Sequence, residues 1–535
     1  MAYFSSATAR RKEHTEFFIL LLRGLSVSST SKTDRPPATG IVYFVGAGPG
    51  HPGLITVRGV ECLQRADVVL YDYLANPLVL SHVNDKTEML CLGRHRRADV
   101  WSQEAINQEM VKRAAAGQCV VRLKGGDPMV FGRAAEEMSA LIDAGIAFEI
   151  IPGVTTASAA GAFGGVAITD RRHASAIALV TGHERLGKPD SALDYQALAN
   201  FPGTLVIYMG VRTAANWSTA LLEAGKPADT PVLLVRRCSW PDQQKLQTTL
   251  GKVADELTPY QKFPPPVVTI IGESARANPG YDWFARLPLL GKGVLVTRPA
   301  HQASSMIARL SELGANAILG PSIAISEVVD PAPIDKAIDQ LSDYDFLVFS
   351  SSNGVHYFLR RLFASGRDAR SLAHAKLAVI GPRTAAALRE YSLVADVQPD
   401  TYRAEALVES LASDAKGKRF LLLRANRGRE VLSEQLTEHG GTVQQVVVYE
   451  SKDVASPDPA IEERWAEIEW VTVTSSAIGR SLHHLWGERL KEKRLVSISP
   501  VTSRTLRECG LTPAAEATTY TSAGVIEAIL EATNT

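Results

Sequence analysis

Little in this chain is extreme, and each thing it lacks removes a class of protein. Cysteine is scarce: Cys62, Cys91, Cys119, Cys238 and Cys509 are all there are in 535 residues, with no CxxC pair and no His/Cys spacing suited to zinc. Their odd number argues against a disulfide framework and for a reducing cytoplasm, and no metal site is expected. Net charge is absent too, because 57 Lys and Arg balance 57 Asp and Glu. Bulk charge therefore gives no reason to expect nucleic acid, and an anionic ligand has to be met by local basic clusters. Long apolar runs are missing: the best, Phe17–Leu22, falls far short of the roughly 20 residues that cross a bilayer, so no membrane partner is expected. Arg10-Arg11-Lys12 before it imitates a secretory signal, yet Arg23 ends the run and no small-residue cleavage site follows closely. Residues 1–39, closing in the Ser-, Thr- and Pro-rich Ser28–Pro37, read as a disordered extension. A dinucleotide fingerprint is lacking as well, since no GxGxxG follows a strand with an acidic residue about 20 positions on.

What is present begins with two glycine turns. Val121–Arg133 is an apolar strand that breaks into Gly125-Gly126-Asp127-Pro128, and Ile41–Val45 is a strand that runs into Gly46–Gly53. Glycine accepts positive φ and carries no Cβ, so a ligand can lie on the backbone itself, while Asp127 offers an acceptor and Pro128 stiffens the exit. A plainer reading makes Asp127 the N-cap of a helix near Ala134–Ala144, in which case Asp127→Asn would be almost neutral. Around these turns strands and helices alternate: strand Ile41–Val45, helix Thr56–Ala66, strand Val68–Tyr71, helix Ser102–Ala116, strand Cys119–Leu123, helix Ala134–Ala144. That order predicts a mainly parallel α/β sheet with its ligand at the strands' C-terminal ends. Pro152-Gly153 reads as a hinge into a second α/β lobe with strands near Ala176–Thr181, Leu205–Met209, Val232–Arg236 and Val267–Ile271, and Tyr281–Leu290 as a short linker.

Beyond the linker the chain repeats itself. Leu295-Val296-Thr297-Arg298 recurs as Leu421-Leu422-Leu423-Arg424, Phe346–Gly354 recurs as Trp470–Gly479, and Val379–Thr384 recurs as Ser497–Thr502. Three elements in the same order twice mean two copies of one α/β half, with the cleft between two like lobes as the ligand site.

From Ile41 to Phe284 the spaced motifs Val45–Thr56, Tyr71–Leu74, Arg122–Glu137, Ile151–Ala157, Val180–His183 and Tyr208-Met209-Gly210 resemble the tetrapyrrole methylase family, specifically uroporphyrinogen-III C-methyltransferase. The repeated half resembles uroporphyrinogen-III synthase. The resemblance implies an α/β fold class with a two-lobed methylase unit followed by a two-lobed, duplicated, flavodoxin-like synthase unit. It implies domains at 40–287, with lobes 40–152 and 153–287, and at 291–535, with lobes 291–324 plus 452–535 and 325–450. Crossings near Ile323–Glu327 and Val446–Lys452 would form a β-ladder hinge. By the same resemblance S-adenosylmethionine is the methyl donor, touching Pro49, Gly125, Gly126, Asp127, Val130, Thr155, Thr156, Met209 and Cys238, with Asp72 as proton acceptor and Arg94 as the second catalytic position. The synthase half would need no cofactor and would close hydroxymethylbilane through Arg298, Ser351, Ser352, Asn353, Arg383, Thr384, Arg424, Thr474, Ser475, Ser476 and Thr502, with Tyr449 as the catalytic residue at the cleft. Small tetrapyrroles are then the partners, and a homodimer through the methyltransferase half is implied.

The chain departs from the family pattern at three places: Gly93-Arg94-His95 stands for Gly-Lys-Arg, His51 for an aspartate, and Cys238 for a glycine. Two readings follow. Either both halves work, giving uroporphyrinogen III and then, by two methylations, precorrin-2 on the sirohaem or cobalamin route. Or one half works and the other is a tetrapyrrole-binding or scaffold module.

Overall fold

The computed structural model describes residues 40–84, 86–93, 101–183, 193–257, 263–428 and 430–534. It divides into two compact units, Met1–Arg286 and Leu287–Thr535.

In the first unit the apolar runs β1 (Ile41–Gly46), β2 (Val68–Tyr71), β3 (Glu88–Cys91), β4 (Cys119–Lys124) and β5 (Ala147–Ile151) form one parallel sheet in the order β3-β2-β4-β1-β5. Strands buried on both faces need apolar residues at every position, and β1 shows it: Val42 and Phe44 enter the core on one face, Val45 that on the other. The helices begin where the chain offers a cap. Thr56 accepts from the Gly59 N–H before helix Val57–Arg65, and Ser102 from Ala105 before helix Gln103–Ala115. β3 and β5 carry little alternation, and the sequence pattern did not show them.

The second sheet contains the four strands expected for its lobe and one more, and it is mixed rather than parallel. β6 (Ile177–Thr181) and β7 (Thr204–Tyr208) pair parallel, but β8 (Pro231–Arg236), β9 (Gln244–Thr249) and β10 (Val267–Ile271) extend the sheet antiparallel in the order β6-β7-β10-β8-β9. The polar β9 is absent from the sequence reading because an outer strand needs no apolar period.

The segment expected as a linker is divided between the units. Phe284 is buried in the first, ringed by Phe163 and Trp283. Leu289 is wholly buried in the second, and its N–H bonds Leu313 O at 2.9 Å.

The second unit contains β11 (Gly293–Val296), β12 (Asn316–Leu319), β13 (Ile323–Ser326), β14 (Phe346–Phe349), β15 (Lys376–Val379), β16 (Arg419–Ala425), β17 (Thr442–Asp453), β18 (Trp470–Val473), β19 (Arg494–Ser497) and β20 (Pro513–Glu516). One sheet runs β12-β11-β18-β19-β20 and is parallel throughout, the flavodoxin-like order. The other runs β13-β17-β16-β14-β15. Aligning the repeats matches β16 to β11, β17 to β12, β14 to β18 and β15 to β19, and the parallel bridge Ala378–Val397 stands where β20 would be. Each lobe thus combines the early strands of one copy with the later strands of the other. The two crossings lie side by side, Ile323 opposite Asp453 and Ser326 opposite Glu450 in an antiparallel ladder.

Candidate functional site

The two glycine turns of the first unit, about 80 residues apart in sequence, lie against each other. Gly48 and Gly126 exchange backbone hydrogen bonds of 3.2 and 2.8 Å, both with positive φ. Gly153 closes the triangle: a Cβ there would lie 2.3 Å from Gly126 O, and one on Gly46 would lie 2.5 Å from Gly153 Cα. Only residues without side chains allow three strands' ends to meet this closely.

These turns floor a cleft of about 700 Å³ whose lining includes Pro49, Asp72, Gly125, Gly126, Asp127, Val130, Thr155, Thr156, Met209 and Cys238. All nine expected cofactor positions and the expected proton acceptor therefore surround one cavity. Arg94 lies outside the described residues. The backbone is strained here: of the six non-glycine residues with positive φ among the described residues, five are Phe131, Arg133, Met209, Arg237 and Ser239, at or beside this cleft. Such conformations persist where the surroundings enforce them, and they gather at ligand sites.

Asp127 is not an N-cap of the following helix. Helix Ala134–Asp143 is entered through Arg133 in a left-handed conformation, without a side-chain cap. Instead Asp127 Oδ1 accepts from Met129 N at 2.8 Å and Oδ2 from Gly153 N at 2.9 Å, tying its own turn to the hinge. Each oxygen keeps a lone pair for a ligand donor.

Asp72 stands at the end of β2 on a buried ionic chain. Arg122, 3% exposed, donates from Nη2 to Asp72 Oδ1 at 2.7 Å and from Nε to Glu137 Oε1 at 3.2 Å; Lys124 reaches both Glu137 oxygens at 2.9 and 2.8 Å. Glu137 is fully buried. Burial and the adjacent Arg122 charge pull the Lys124 ammonium below the usual lysine range. Arg122, Lys124 and Glu137 fall inside a quoted motif, yet nothing in the sequence distinguished them as a linked group, because the link depends on β4 facing helix Ala134–Asp143.

Tyr208 is a further residue that sequence reasoning missed. Its hydroxyl lies 2.8 Å from Thr155 Oγ1 and accepts from Ala157 N at 2.7 Å, so β7 is held to the start of helix Thr156–Gly164. Its neighbour Met209 is left half-exposed in the cleft. Two departures from the family pattern, His51 and Cys238, are accommodated locally. His51 Nδ1 accepts from Gly53 N at 3.0 Å, as an aspartate could, and its N–H reaches Ser239 Oγ at 2.9 Å. Cys238 is buried, which lifts its thiol from 9.0 to about 12.

In the second unit Tyr449 OH lies 3.0 Å from Ser351 Oγ, and burial raises its phenol above the usual range. Gln302 Nε2 donates to Asn353 Oδ1 at 2.9 Å, from one lobe to the other. Ser351 and Ser475 also act as N-caps, accepting from Gly354 and Ile478. Ser352 opens helix Ser352–Ala364, and Ser476 accepts from Thr505 Oγ1 at 2.9 Å. Thr384 and Thr502 are buried in the first turns of helices Pro382–Glu390 and Pro500–Glu508, Thr474 is half-buried after β18, and Arg383 is exposed. Arg298 is buried with Ser522 and Gln302, whereas Arg424 is paired with Glu430 at 2.6 Å.

Comparison with known proteins matches two family models in order: tetrapyrrole (corrin/porphyrin) methylases over residues 41–254 and uroporphyrinogen-III synthase HemD over 304–527. The porphyrin biosynthesis protein HemD of Ruminiclostridium josui is 31% identical across 82% of this chain and 87% of its own length. A uroporphyrinogen-III C-methyltransferase of Bacillus subtilis (strain 168) is 34% identical across 68% of this chain and 74% of its own. A solved uroporphyrin-III C-methyl transferase from Thermus thermophilus, complexed with S-adenyl homocysteine, is 36% identical over 44% of this chain and 94% of that one, at a TM-score of 0.38.

Proposed function

Since the chain belongs to the tetrapyrrole biosynthesis family that joins a tetrapyrrole methylase to a uroporphyrinogen-III synthase, we propose that it is a bifunctional enzyme, its first domain ending at Arg286 and its second beginning at Leu287. The second domain cyclises hydroxymethylbilane to uroporphyrinogen III without a cofactor. The first methylates that product twice to precorrin-2, on the route to sirohaem or cobalamin. The observation that carries the reading is the cleft of about 700 Å³ on which Asp72 and all nine cofactor positions converge.

S-adenosylmethionine fits this cleft by the chemistry of its lining, and when bound it supplies an electrophilic methyl group. Gly125 and Gly126 offer bare backbone, Asp127 its remaining lone pairs, Thr155 and Thr156 hydroxyls, and Met209 a polarisable thioether. The protein's part in such a displacement is alignment and exclusion of water. Asp72, which accepts a 2.7 Å hydrogen bond from Arg122 Nη2 and so is fixed in place, is the base for the proton that the methylated ring gives up.

All five cysteines are free, which fits a reducing cytoplasm. Among the described residues no helix is long and apolar enough to cross a membrane. Exposed Ile177 and Leu179 on the outer strand β6 support a homodimer through the first unit.

The test is to incubate the full chain with hydroxymethylbilane, with and without S-adenosylmethionine, and to resolve ring isomers by chromatography and methyl additions by mass. The type III isomer without donor, and a doubly methylated product with it, are expected. Only the spontaneous type I ring, or no methyl addition to supplied uroporphyrinogen III, would leave one half without its proposed reaction.

A further inference from the structure

The duplication in residues 287–535 gives each lobe an equivalent strand, β11 in one and β16 in the other, and the two carry an arginine at the same repeat position, Arg298 just after β11 and Arg424 near the end of β16. Their surroundings are opposite. Arg424 is neutralised inside its own lobe, with Nη1 2.6 Å from Glu430 Oε1 and 2.6 Å from Gln445 Oε1. Arg298 is 4% exposed and meets neutral oxygens, donating to Ser522 Oγ at 2.5 Å and to Gln302 Oε1 at 3.2 Å. Among the described residues no carboxylate pairs with it. The charge it does feel is another cation: Arg383, from the other lobe, adds to burial in drawing the Arg298 guanidinium down to about 10. A buried guanidinium without an anion is costly, and a chain that quenches one copy of a repeated arginine while leaving the other unquenched has kept the second for an anion from outside.

The neighbourhood favours negative charge. Arg298 lies one residue before Pro299, the N-cap of helix Ala300–Glu312, and Ser522 opens helix Ser522–Asn534; neither helix has an acid in its first turn, so two positive helix ends add to the guanidinium. The same side chain that holds Arg298, Gln302, donates across the lobes to Asn353 at 2.9 Å. An anion on Arg298 would thus act beside one of the contacts between the two lobes.

We infer that Arg298, with the exposed Arg383 adding its charge, is the receptor for one carboxylate of a polycarboxylate ligand seated where the two lobes meet, and that Arg424 is excluded from that role by Glu430. This rests on reading residues 287–535 as a synthase of an acetate- and propionate-bearing bilane; it assigns which cation takes a carboxylate and why its duplicate does not.

The full chain is tested as Arg298→Met, with Arg424→Met as the matched control and Arg298→Lys to restore charge without the two-pronged geometry. Initial rates of type III ring formation against hydroxymethylbilane concentration separate KM from kcat. KM rises roughly 10- to 150-fold in Arg298→Met, the loss expected when a charged hydrogen bond disappears. It rises less in Arg298→Lys and stays near wild type in Arg424→Met. Without ligand, Arg298→Met melts at or above wild type, because an unquenched buried charge is gone, while Arg424→Met melts below it. An unchanged KM in folded Arg298→Met, an equal rise in both methionine variants, or a larger loss of stability in Arg298→Met than in Arg424→Met overturns the assignment. If the wild-type chain forms no type III ring, the synthase reading falls by itself. The anion site is then read by citrate, which should raise the melting temperature of wild type more than that of Arg298→Met; equal shifts, none included, overturn it.

Discussion

At the scale of single residues, the stability of the first unit turns on groups that sequence motifs name but do not connect. Glu137 is the fully buried carboxylate between Arg122 and Lys124. Glu137→Gln leaves Lys124 without an acid, and breaking such a pair from one side typically costs about 3–5 kcal/mol. Denaturant unfolding measures it, and a loss within error of zero would show that the chain of charges is solvated after all. Asp127 illustrates what a motif conceals. Its place at the cleft was legible from the Gly-Gly-Asp-Pro turn, but its two backbone acceptor bonds were not, because Gly153 is remote in sequence. Asp127→Asn must therefore forfeit one of them, and a loss of about 1–3 kcal/mol in the protein without ligand is expected by thermal melting rather than near-neutrality. Cys238 gives a pH signature. Its thiol ionises near 9.0 in the unfolded chain but near 12 when folded. A raised folded value contributes stability that is complete below pH 9 and drains away as the pH climbs toward 12, at up to about 1.4 kcal/mol per pH unit. Cys238→Ala should flatten the alkaline fall of the melting temperature in that window; parallel curves would show that Cys238 is not the group responsible.

At the scale of elements, what was legible followed apolar periodicity and what was not lacked it. The strands of the parallel sheet that are buried on both faces, β1, β2 and β4, declared themselves by continuous apolar runs. The outer strands β3 and β9 did not, since Glu88 and Met89 on one and Gln244 and Gln247 on the other face solvent or sit half-buried. The antiparallel half of the second sheet was equally hidden, because strand direction leaves no mark on composition. The repeat, by contrast, exposed the second unit's equivalent strands even where local motifs were loose. The meeting of Gly46, Gly126 and Gly153 is an element-scale device, and one methyl group tests it. In Gly153→Ala the new Cβ meets backbone at 2.3 Å and 2.8 Å, which no side-chain rotation relieves. The turns must separate, so calorimetry with S-adenosylhomocysteine should show binding lost in a protein that still folds, and wild-type affinity would remove the triangle from the site.

At the scale of the whole chain, the boundary between units was placed by the sequence near Tyr281–Leu290, but nothing in that composition revealed that Phe284 and Leu289 are buried in different cores. Beginning the second unit at residue 291 deletes Leu289, whose loss should cost about 2–5 kcal/mol as other buried leucines do. A fragment from 287 should consequently melt well above one from 291; equal melting would make Leu289 dispensable. The exchange of early and late strands between the second unit's lobes has a different kind of consequence, one of time. On the ribosome, β11 emerges long before the neighbour it must hydrogen-bond: Thr297 bonds Thr472, 175 residues further on. At about 5–20 residues per second that is a wait of roughly 10–35 s. The other lobe, β13 to β17, is complete meanwhile and can fold first. Nascent β11 and β12 thus spend that interval with an unsatisfied edge, and a premature stop between β17 and β18 would release a chain whose finished lobe is sound and whose opening strands have no third strand to join.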